Sequence, residues 1–347
     1  MLLATLVSIL TKDGVTVELS LAALLTLMVG VILMLITRNH TKQLSKREGY
    51  LVVTFGWILM TFSGVLPYLL TDVFTNVSSA FFETMSGYTT TGSSVLADIE
   101  AVPKGVLFWR STTHWIGGMG IIVLAIAILP LLGIGGMQLF TAEAPGPSSD
   151  KLHPRITDTA KRLWFIYVGF TVAETLMLWA AGMSLFDAIN HAMSTVSTGG
   201  FSTKNASVSF WNDQPMIQYI IVIFMFLAGV NFVLSYFAFT GQIKRLFRDE
   251  EFRFYSRMIL VCSAIVSIVL IVDVDMLASS FNHPQVFGKI ESSIRHALFQ
   301  VIAVTTTTGF VTSDFTAWTP FLTILFFGLM FMGGSAGSTS GGVKGVR

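Results

Sequence analysis

The amino-acid sequence predicts an all-α, polytopic membrane protein built from tandem repeats, and three observations indicate this fold class. Hydrophobic residues make up 53% of the 347 residues and charged residues only 12%, about half the charged share of a soluble domain. Long apolar runs recur along the chain, and one polar pattern appears three times between them. A net charge of +1 and a single cysteine, Cys262, exclude a nucleic-acid-binding protein and a disulfide-rich secreted scaffold.

A helix that crosses a bilayer needs about 20 mostly apolar residues. The runs that approach or reach this length are Leu19–Ile36, Leu51–Leu70, Val106–Leu132, Leu163–Trp179, Met216–Thr240, Met258–Val272 and Trp318–Met332. Met1–Leu10 is apolar but too short to cross alone. We interpret it as the remnant of a helix. The alternative is a signal-peptide core, although no small-residue cleavage site follows it.

Basic residues predict the orientation of the spans, because cytoplasmic loops carry an excess of Lys and Arg. Fifteen of the 21 basic residues fall on one face, which we expect to be cytoplasmic. They are Arg38, Lys42, Lys46, Arg47, Lys151, Arg155, Lys161, Arg162, Lys244, Arg245, Arg248, Arg253, Arg257, Lys344 and Arg347. Acidic residues such as Asp72 and Asp314 collect on the opposite face. They indicate either ordinary loop solvation or a negative vestibule that concentrates cations.

The repeated pattern lies on the outer side of the predicted spans. It comprises Ala80–Gly92, Ala188–Gly200 and Ala297–Gly309, whose last glycines are 108 and 109 residues apart. Each segment ends in Thr- or Ser-rich residues and then Gly, and each carries a polar residue at the same offset. These polar residues are Glu83, His191 and Gln300. The pattern predicts pore units, each made of a spanning helix (M1), a short re-entrant pore helix, a Thr/Gly stretch and a second spanning helix (M2).

The spans and the charged linkers predict the boundaries of these units. Pore units 1, 2 and 3 occupy residues 49–138, 163–243 and 258–347. Residues 1–48 form N-terminal helices and a cytoplasmic loop. Residues 139–162 and 244–257 connect the pore units on the cytoplasmic side.

The Thr/Gly stretches predict a cation filter. A helix that ends inside a membrane leaves its last carbonyls without intrahelical partners, which is tolerated only where the backbone lines a cavity. The helix C-terminus is partially negative, and the carbonyls after it are able to replace the hydration shell of K⁺. No acidic residue lies within the stretches, which favours a monovalent ion over Ca²⁺. The candidate ligands are Thr90, Thr91, Gly92, Thr198, Gly199, Gly200, Thr307, Thr308 and Gly309. The alternative is that these small residues only allow close helix packing.

A Gly-rich segment at the end of the chain predicts a gate. Trp318–Met332 spans about 22 Å as a helix, short of the ~30 Å hydrocarbon core, so the chain would break inside the membrane. The candidate gate residues are Gly333, Gly334, Gly337, Ser338, Thr339, Gly341, Gly342 and Lys344. A plain loop at the cytoplasmic boundary is the alternative. A phosphate-binding loop is disfavoured, because Val343 stands where such a loop needs Lys.

Several polar residues within or beside the spans have two interpretations each. Arg110 and His114 either pair with an acid such as Glu83 or extend toward the membrane interface. Glu174 is either functional or a hydrogen-bonded structural group. Asn231 is expected to bond between helices rather than to bind an ion. His191 and His296 are interpreted as structural, because no second His or Cys stands at metal-ligand spacing.

The chain resembles the Trk/Ktr/HKT superfamily of potassium transporters, most closely the bacterial Trk-type membrane subunit. The motifs that carry the resemblance are Phe81–Gly92, Trp115–Ala127, Gly135–Leu139, Gly199–Thr203, Thr307–Phe310 and Gly333–Lys344. The resemblance implies a pseudo-fourfold arrangement of four pore units around one ion path, with filter glycines at Gly92, Gly200 and Gly309. It also implies a homodimer in the bacterial cytoplasmic (inner) membrane, with a cytoplasmic nucleotide-binding regulatory subunit on the basic face.

Two departures from the family pattern matter. Three pore units are present, and the fourth filter strand and a basic residue of the fourth unit's last helix are not in this sequence. We therefore expect a fragment of a longer polypeptide, which should not conduct selectively by itself.

The function that these observations favour is potassium uptake, with the potassium ion as the bound species and no organic cofactor or nucleic acid. Three alternatives stay open. The first is a symporter of the same architecture that couples K⁺ to Na⁺ or H⁺. The second is an intramembrane enzyme, for which Ser194 and His191 offer no complete catalytic set. The third is a transporter with inverted repeats, which the common direction of these repeats disfavours.

Overall fold

The computed structural model describes residues 1–38, 46–120, 156–274 and 284–343. The chain forms two compact bodies, an N-terminal body (Met1–Trp164) and a C-terminal body (Phe165–Arg347). The described residues are mostly helical, and their only β pairing is an isolated bridge between Met332 and Val343. Most of the predicted linker 139–162, residues 121–132 of the third predicted span and the candidate gate residue Lys344 lie outside the described residues.

The helices of the N-terminal body are α1 (Leu2–Thr11), α2 (Thr16–Thr37), α3 (Lys46–Leu70), α4 (Val77–Tyr88) and α5 (Lys104–Trp115). A π-helical turn, Ile116–Gly120, follows α5. The order α3–α4–α5 is that of a predicted pore unit, with α4 as the short helix. Trp109 of α5 joins the three, because its Nε1 donates to the Gly64 carbonyl of α3 at 3.1 Å and its ring meets Tyr88 of α4 edge-on at 6.4 Å.

The helices beyond residue 155 are α6 (Ile156–Ala180), α7 (Leu185–Val196), α8 (Pro215–Ala228), α9 (Phe232–Phe239), α10 (Ile243–Arg248), α11 (Glu250–Val272), α12 (Lys289–Thr305) and α13 (Pro320–Met330). In pore unit 3, Leu270 of α11, Val301 of α12 and Phe326 of α13 are buried in one apolar cluster. Between membrane-spanning helices such packing is stabilised by van der Waals contact and not by the removal of apolar surface from water.

Among the residues that the structure describes, three helices are long and apolar enough to cross a membrane, and the bent pair α8 and α9 would make a fourth if it is one span. The three are α2, the part of α6 from Lys161 to Ala180, and α11, and they contain three of the predicted spans. Many large side chains of α2 are exposed, including Leu27 (62%) and Ile32 (55%). An exposed apolar face of this extent suits contact with lipid rather than water.

The predicted span Met216–Thr240 is sharply bent in the structure. α8 and α9 are bent by 108° at residues 229–231, and in pore unit 1 Gly118 leaves helical geometry (φ −56°, ψ −105°). The breaks are stable because their polar groups find partners. Asn231 Oδ1 accepts from Val233 N at 2.8 Å and so caps α9, and Phe232 N donates to the Gly337 carbonyl at 3.1 Å.

Candidate functional site

The three predicted pore helices end in the same backbone conformation. One residue past each helix cap stands a threonine with positive φ: Thr90 (53°), Thr198 (54°) and Thr307 (57°). Two residues later, Gly92, Gly200 and Gly309 have φ of 76°, 82° and 77°. The residue between is not in this region, so the backbone alternates. A β-branched residue in the left-handed region costs roughly 1–2 kcal/mol, and such strain persists only where the surroundings enforce it.

Main-chain hydrogen bonds close these helix ends. Thr91 N donates to the Ser86 carbonyl at 2.9 Å, and Gly199 N donates to the Ser194 carbonyl at 2.8 Å. This is the pattern that usually places glycine in the left-handed position. The third end differs, because Gly309 N rather than Thr308 N makes the long bond, to the Ala303 carbonyl at 3.1 Å. All three loops nevertheless place a threonine at the position with positive φ, where glycine is usual.

Threonine hydroxyls brace two of the loops. Thr89 Oγ1 lies 2.8 Å from Thr91 Oγ1, and Thr306 Oγ1 lies 2.8 Å from Thr308 Oγ1. Each pair spans the threonine with positive φ. The second loop has no such pair because Gly199 stands at the corresponding position.

The polar residue of each repeat holds the strand that returns past its helix. Glu83 accepts from Val95 N at 2.9 Å, and His191 Nε2 lies 3.0 Å from Ser202 Oγ. Gln300 Nε2 donates to the Ser313 carbonyl at 3.2 Å. The three different side chains thus do the same task, which explains why the offset recurs while the residue type changes.

A buried ion pair fixes the first loop to its M2 helix. Arg110 Nε donates to Glu83 Oε1 at 2.7 Å, and the two side chains are 3% and 0% exposed. His114, one turn later, is fully buried and bonds to the Ser86 main chain. Of the two interpretations left open, pairing with Glu83 holds for Arg110, whereas His114 bonds the main chain of the pore helix instead of an acid. Both side chains are buried, so neither extends toward the interface.

The second and third loops lie in direct contact. A Cβ built on Gly200 would overlap the Thr308 carbonyl oxygen, so only glycine fits there. Next to them, Ser209 N donates to the Val311 carbonyl at 2.9 Å. The structure therefore brings together predicted filter residues of pore units 2 and 3. It describes Thr90, Thr91 and Gly92 within the N-terminal body.

The Gly-rich segment 333–343 is folded against the pore helices. Thr339 Oγ1 donates to the carbonyls of Val196 at 3.0 Å and Ala228 at 3.3 Å, the last residues of α7 and α8. Gly341 N donates to Thr307 Oγ1 at 2.8 Å.

The start of the same segment is attached to the second and third pore units. Ser335 N donates to the Gly229 carbonyl at 2.9 Å, and Ala336 N donates to Glu251 Oε1 at 2.8 Å. The segment thus lies on the helix break of pore unit 2 and on the first turn of α11.

The other polar residues considered in the sequence analysis lie within or at the ends of helices. Glu174 is fully buried in α6 beside Thr195 of α7. Asn231 caps a helix, and His296 Nδ1 lies 3.0 Å from Thr312 Oγ1. Within the ranges that the structure describes, no group of three or more His, Cys, Asp or Glu could hold a metal ion.

Sequence reasoning missed two features of the site. One is the strained threonine of each loop, which the recurrence of Thr two residues before Gly could have indicated. The other is a hydrogen-bonded group formed by Asn212, Gln218 and Arg295. Arg295 lies 77 residues from Gln218 in the chain, so no local pattern indicates their contact.

Comparisons with known proteins show what the chain is similar to. The TrkH family, described as "Cation transport protein", matches residues 19–347. The Trk system potassium uptake protein TrkH of Salmonella typhimurium is 41% identical over 350 residues, covering 100% of this chain and 70% of the relative. The Trk system potassium uptake protein TrkG of Escherichia coli is 38% identical over 318 residues, covering 90% and 62%. The crystal structure of the potassium transporter TrkH from Vibrio parahaemolyticus matches with a TM-score of 0.83 and 36% identity, covering 100% of this chain and 69% of that chain.

The buried ion pair generates a stability prediction. Glu83→Gln and Arg110→Met should each lower the free energy of unfolding by about 3–5 kcal/mol, because each leaves a buried charge without its partner. The double variant should lose less than the sum of the two, because no charge is left uncompensated. Thermal unfolding of the purified protein measures this. Strictly additive losses would show that the two side chains act independently.

Proposed function

Because the chain belongs to the TrkH family of cation transport proteins, we propose that it contributes three pore units to a protein that takes up potassium ions through a channel-like pore in the bacterial cytoplasmic membrane. The family is one of transporters, so the chain is not an enzyme. The proposal includes the finer features expected from the sequence: a carbonyl filter, a Gly-rich gate, a homodimer and a nucleotide-binding regulatory subunit on the basic face.

The main support for a selectivity filter is the backbone conformation that the three loops share. A backbone that alternates between positive and negative φ turns successive carbonyls toward one side, unlike a strand, whose carbonyls alternate. Carbonyls on one side are able to replace the hydration shell of a monovalent cation. Each loop also follows directly on a helix C-terminus, which carries roughly −0.5 charge. The candidate ligands of the first loop are Thr90, Thr91 and Gly92, and residues 198–200 and 307–309 are the corresponding candidates in the other two loops.

The contacts of the Gly-rich segment support the gate. Its hydrogen bonds end on Thr307 and on the last carbonyl of α7, beside two of the proposed filter loops. While these bonds exist, the segment covers polar atoms that a passing ion would otherwise meet. Each bond contributes only about 1 kcal/mol, so the segment is held weakly enough to move. We propose that conduction requires its displacement.

Substitution of a filter glycine tests the filter. Gly92→Ser and Gly309→Ser in the intact protein should lower the preference for K⁺ over Na⁺, since both positions have positive φ and a side chain there distorts the carbonyls. Gly309 is the sharper case, because a Cβ there meets no atom within 4 Å and packing is not disturbed. The measurement is the ratio of K⁺ to Na⁺ uptake in a bacterial strain lacking other K⁺ uptake systems.

Gly169→Ser is the matched control, because a Cβ at this helical position also meets no atom within 4 Å. It should leave the uptake ratio unchanged. Wild-type ratios in both filter variants would contradict the filter.

Removal of one hydroxyl tests the gate. Thr339→Val keeps the shape of the side chain but loses both bonds to the helix-end carbonyls, so flux should rise severalfold, as for about 1–2 kcal/mol of lost closed-state stability. Deletion of residues 335–341 should raise it further. Thr323→Val is the matched control, since the Thr323 hydroxyl bonds only the Thr319 carbonyl at the start of its own helix. Equal flux in Thr339→Val and wild type would remove the support for this gate.

A further inference from the structure

A series of buried hydrogen bonds joins pore unit 3 to the M2 helix of pore unit 2. It begins at Arg295 of α12, which is fully buried. Arg295 Nε donates to Glu291 Oε1 at 2.8 Å, and Arg295 Nη1 donates to Gln218 Oε1 of α8. Gln218 Nε2 then donates to Asn212 Oδ1 at 2.6 Å. The link therefore passes from one repeat to another through side chains alone.

The series ends on the segment that follows the third loop, residues 310–313, which we call the return strand. Its contacts with α12 close the series into a ring. Asn212 Nδ2 donates to the Thr312 carbonyl at 3.2 Å. Thr312 Oγ1 lies 3.0 Å from His296 Nδ1 and 3.4 Å from Gln300 Nε2. Since His296 and Gln300 belong to the same helix as Arg295, the ring connects α12, α8 and the return strand. Because the bonds of the ring run between three separate elements, they restrain the position of each element relative to the other two.

The ring lies next to the contact between the second and third loops. Val311, which precedes Thr312, accepts from Ser209 N at 2.9 Å and its own N donates to Ser207 Oγ at 3.2 Å. Three residues before Val311, the Thr308 carbonyl lies against Gly200. A shift of the return strand at Thr312 would therefore change the spacing of the two loops.

Comparison of the repeats shows that one M2 position serves two different connections. Arg110 stands eighteen residues after Gly92, and Gln218 stands eighteen residues after Gly200. Arg110 pairs with Glu83 in its own pore unit. Gln218 instead bonds Arg295 in the following unit. The same place on M2 thus fixes a pore helix in both cases, but in pore unit 2 the fixed helix belongs to the next repeat.

The buried charge makes this connection sensitive to substitution. Arg295 Nη2 has no hydrogen-bond partner among the described residues, so Glu291 and Gln218 are the groups that compensate the guanidinium. A buried charge that loses such a partner is destabilised and moves to find another. Loss of the Gln218 amide would therefore release both Arg295 and Asn212.

We propose that Arg295, Gln218 and Asn212 are positioning residues for ion selectivity, which set the spacing of the second and third filter loops without touching the ion. This inference rests on the proposed filter. High selectivity requires ligands held by a supporting layer of packed and hydrogen-bonded groups. The ring supplies such a layer between two repeats.

Two substitutions break the ring at different places and leave the filter residues intact. Gln218→Leu removes the amide that links Arg295 to Asn212, and Asn212→Ala removes the link to the return strand. Gln218→Glu is a milder variant, which keeps an acceptor for Arg295 and loses the donor to Asn212. Ser209→Ala is the matched control, because its hydroxyl bonds only the Ala206 carbonyl of its own turn.

The intact protein is expressed in a bacterial strain lacking other K⁺ uptake systems. The K⁺ to Na⁺ uptake ratio, the K⁺ concentration for half-maximal uptake and the Tm of purified protein are measured. Gln218→Leu and Asn212→Ala should each lower the ratio by roughly threefold to tenfold. The double variant should be no worse than the worse single variant, because both break one ring. Ser209→Ala should match wild type.

The outcomes separate the positioning role from the proposed function. Wild-type protein that takes up no K⁺ overturns the proposed function and this inference with it. K⁺ uptake with unchanged ratios in the variants overturns the positioning role alone, even if Tm falls. Additive effects in the double variant also overturn it. If Gln218→Leu is not produced, Gln218→Glu and Asn212→Ala decide by the same criteria.

Discussion

The carbonyl groups at the ends of three short helices impose the constraint on which the rest of the structure depends. A helix end needs partners for its last carbonyls, and α4, α7 and α12 meet this need with a turn that places threonine in the left-handed region. The strain of that turn is tolerated because buried side chains hold both flanks. Glu83, His191 and Gln300 bond the returning strand in their respective repeats. The loop conformation is therefore a property of each whole pore unit.

The break between α8 and α9 depends on the same requirement, namely that polar backbone groups have hydrogen-bond partners. Irregular backbone is stable at membrane depth only where its polar atoms are satisfied or face a cavity. The break after Ala228 meets this condition, since Asn231 caps α9 and the Gly229 carbonyl accepts from Ser335 N at 2.9 Å. The Gly-rich segment thus supplies hydrogen-bond partners to the neighbouring repeat. This relation connects the proposed gate with the helix break beside it.

Corresponding positions of the repeats carry different side chains, which bond different partners. The residue eighteen places after the last glycine of the repeat is Arg110 in pore unit 1 and Gln218 in pore unit 2. Arg110 neutralises an acid of its own pore helix, whereas Gln218 bonds a cation of the next one. The repeats thus share a loop conformation, while the side-chain networks around their loops differ.

The sequence by itself determined the helical membrane fold, the three repeats, the short helices and the family, because apolar length and recurring spacing are local properties of the chain. For Arg110 the sequence left two interpretations open, and the structure selected the pairing with Glu83. Tertiary structure alone decided that the M2 segment of pore unit 2 is bent at residues 229–231. It also decided that Thr307 bonds the Gly-rich segment and that Arg295 reaches Gln218. These contacts join residues 34 and 77 positions apart, and hydrogen bonds over such separations depend on how the helices pack rather than on any pattern along the chain.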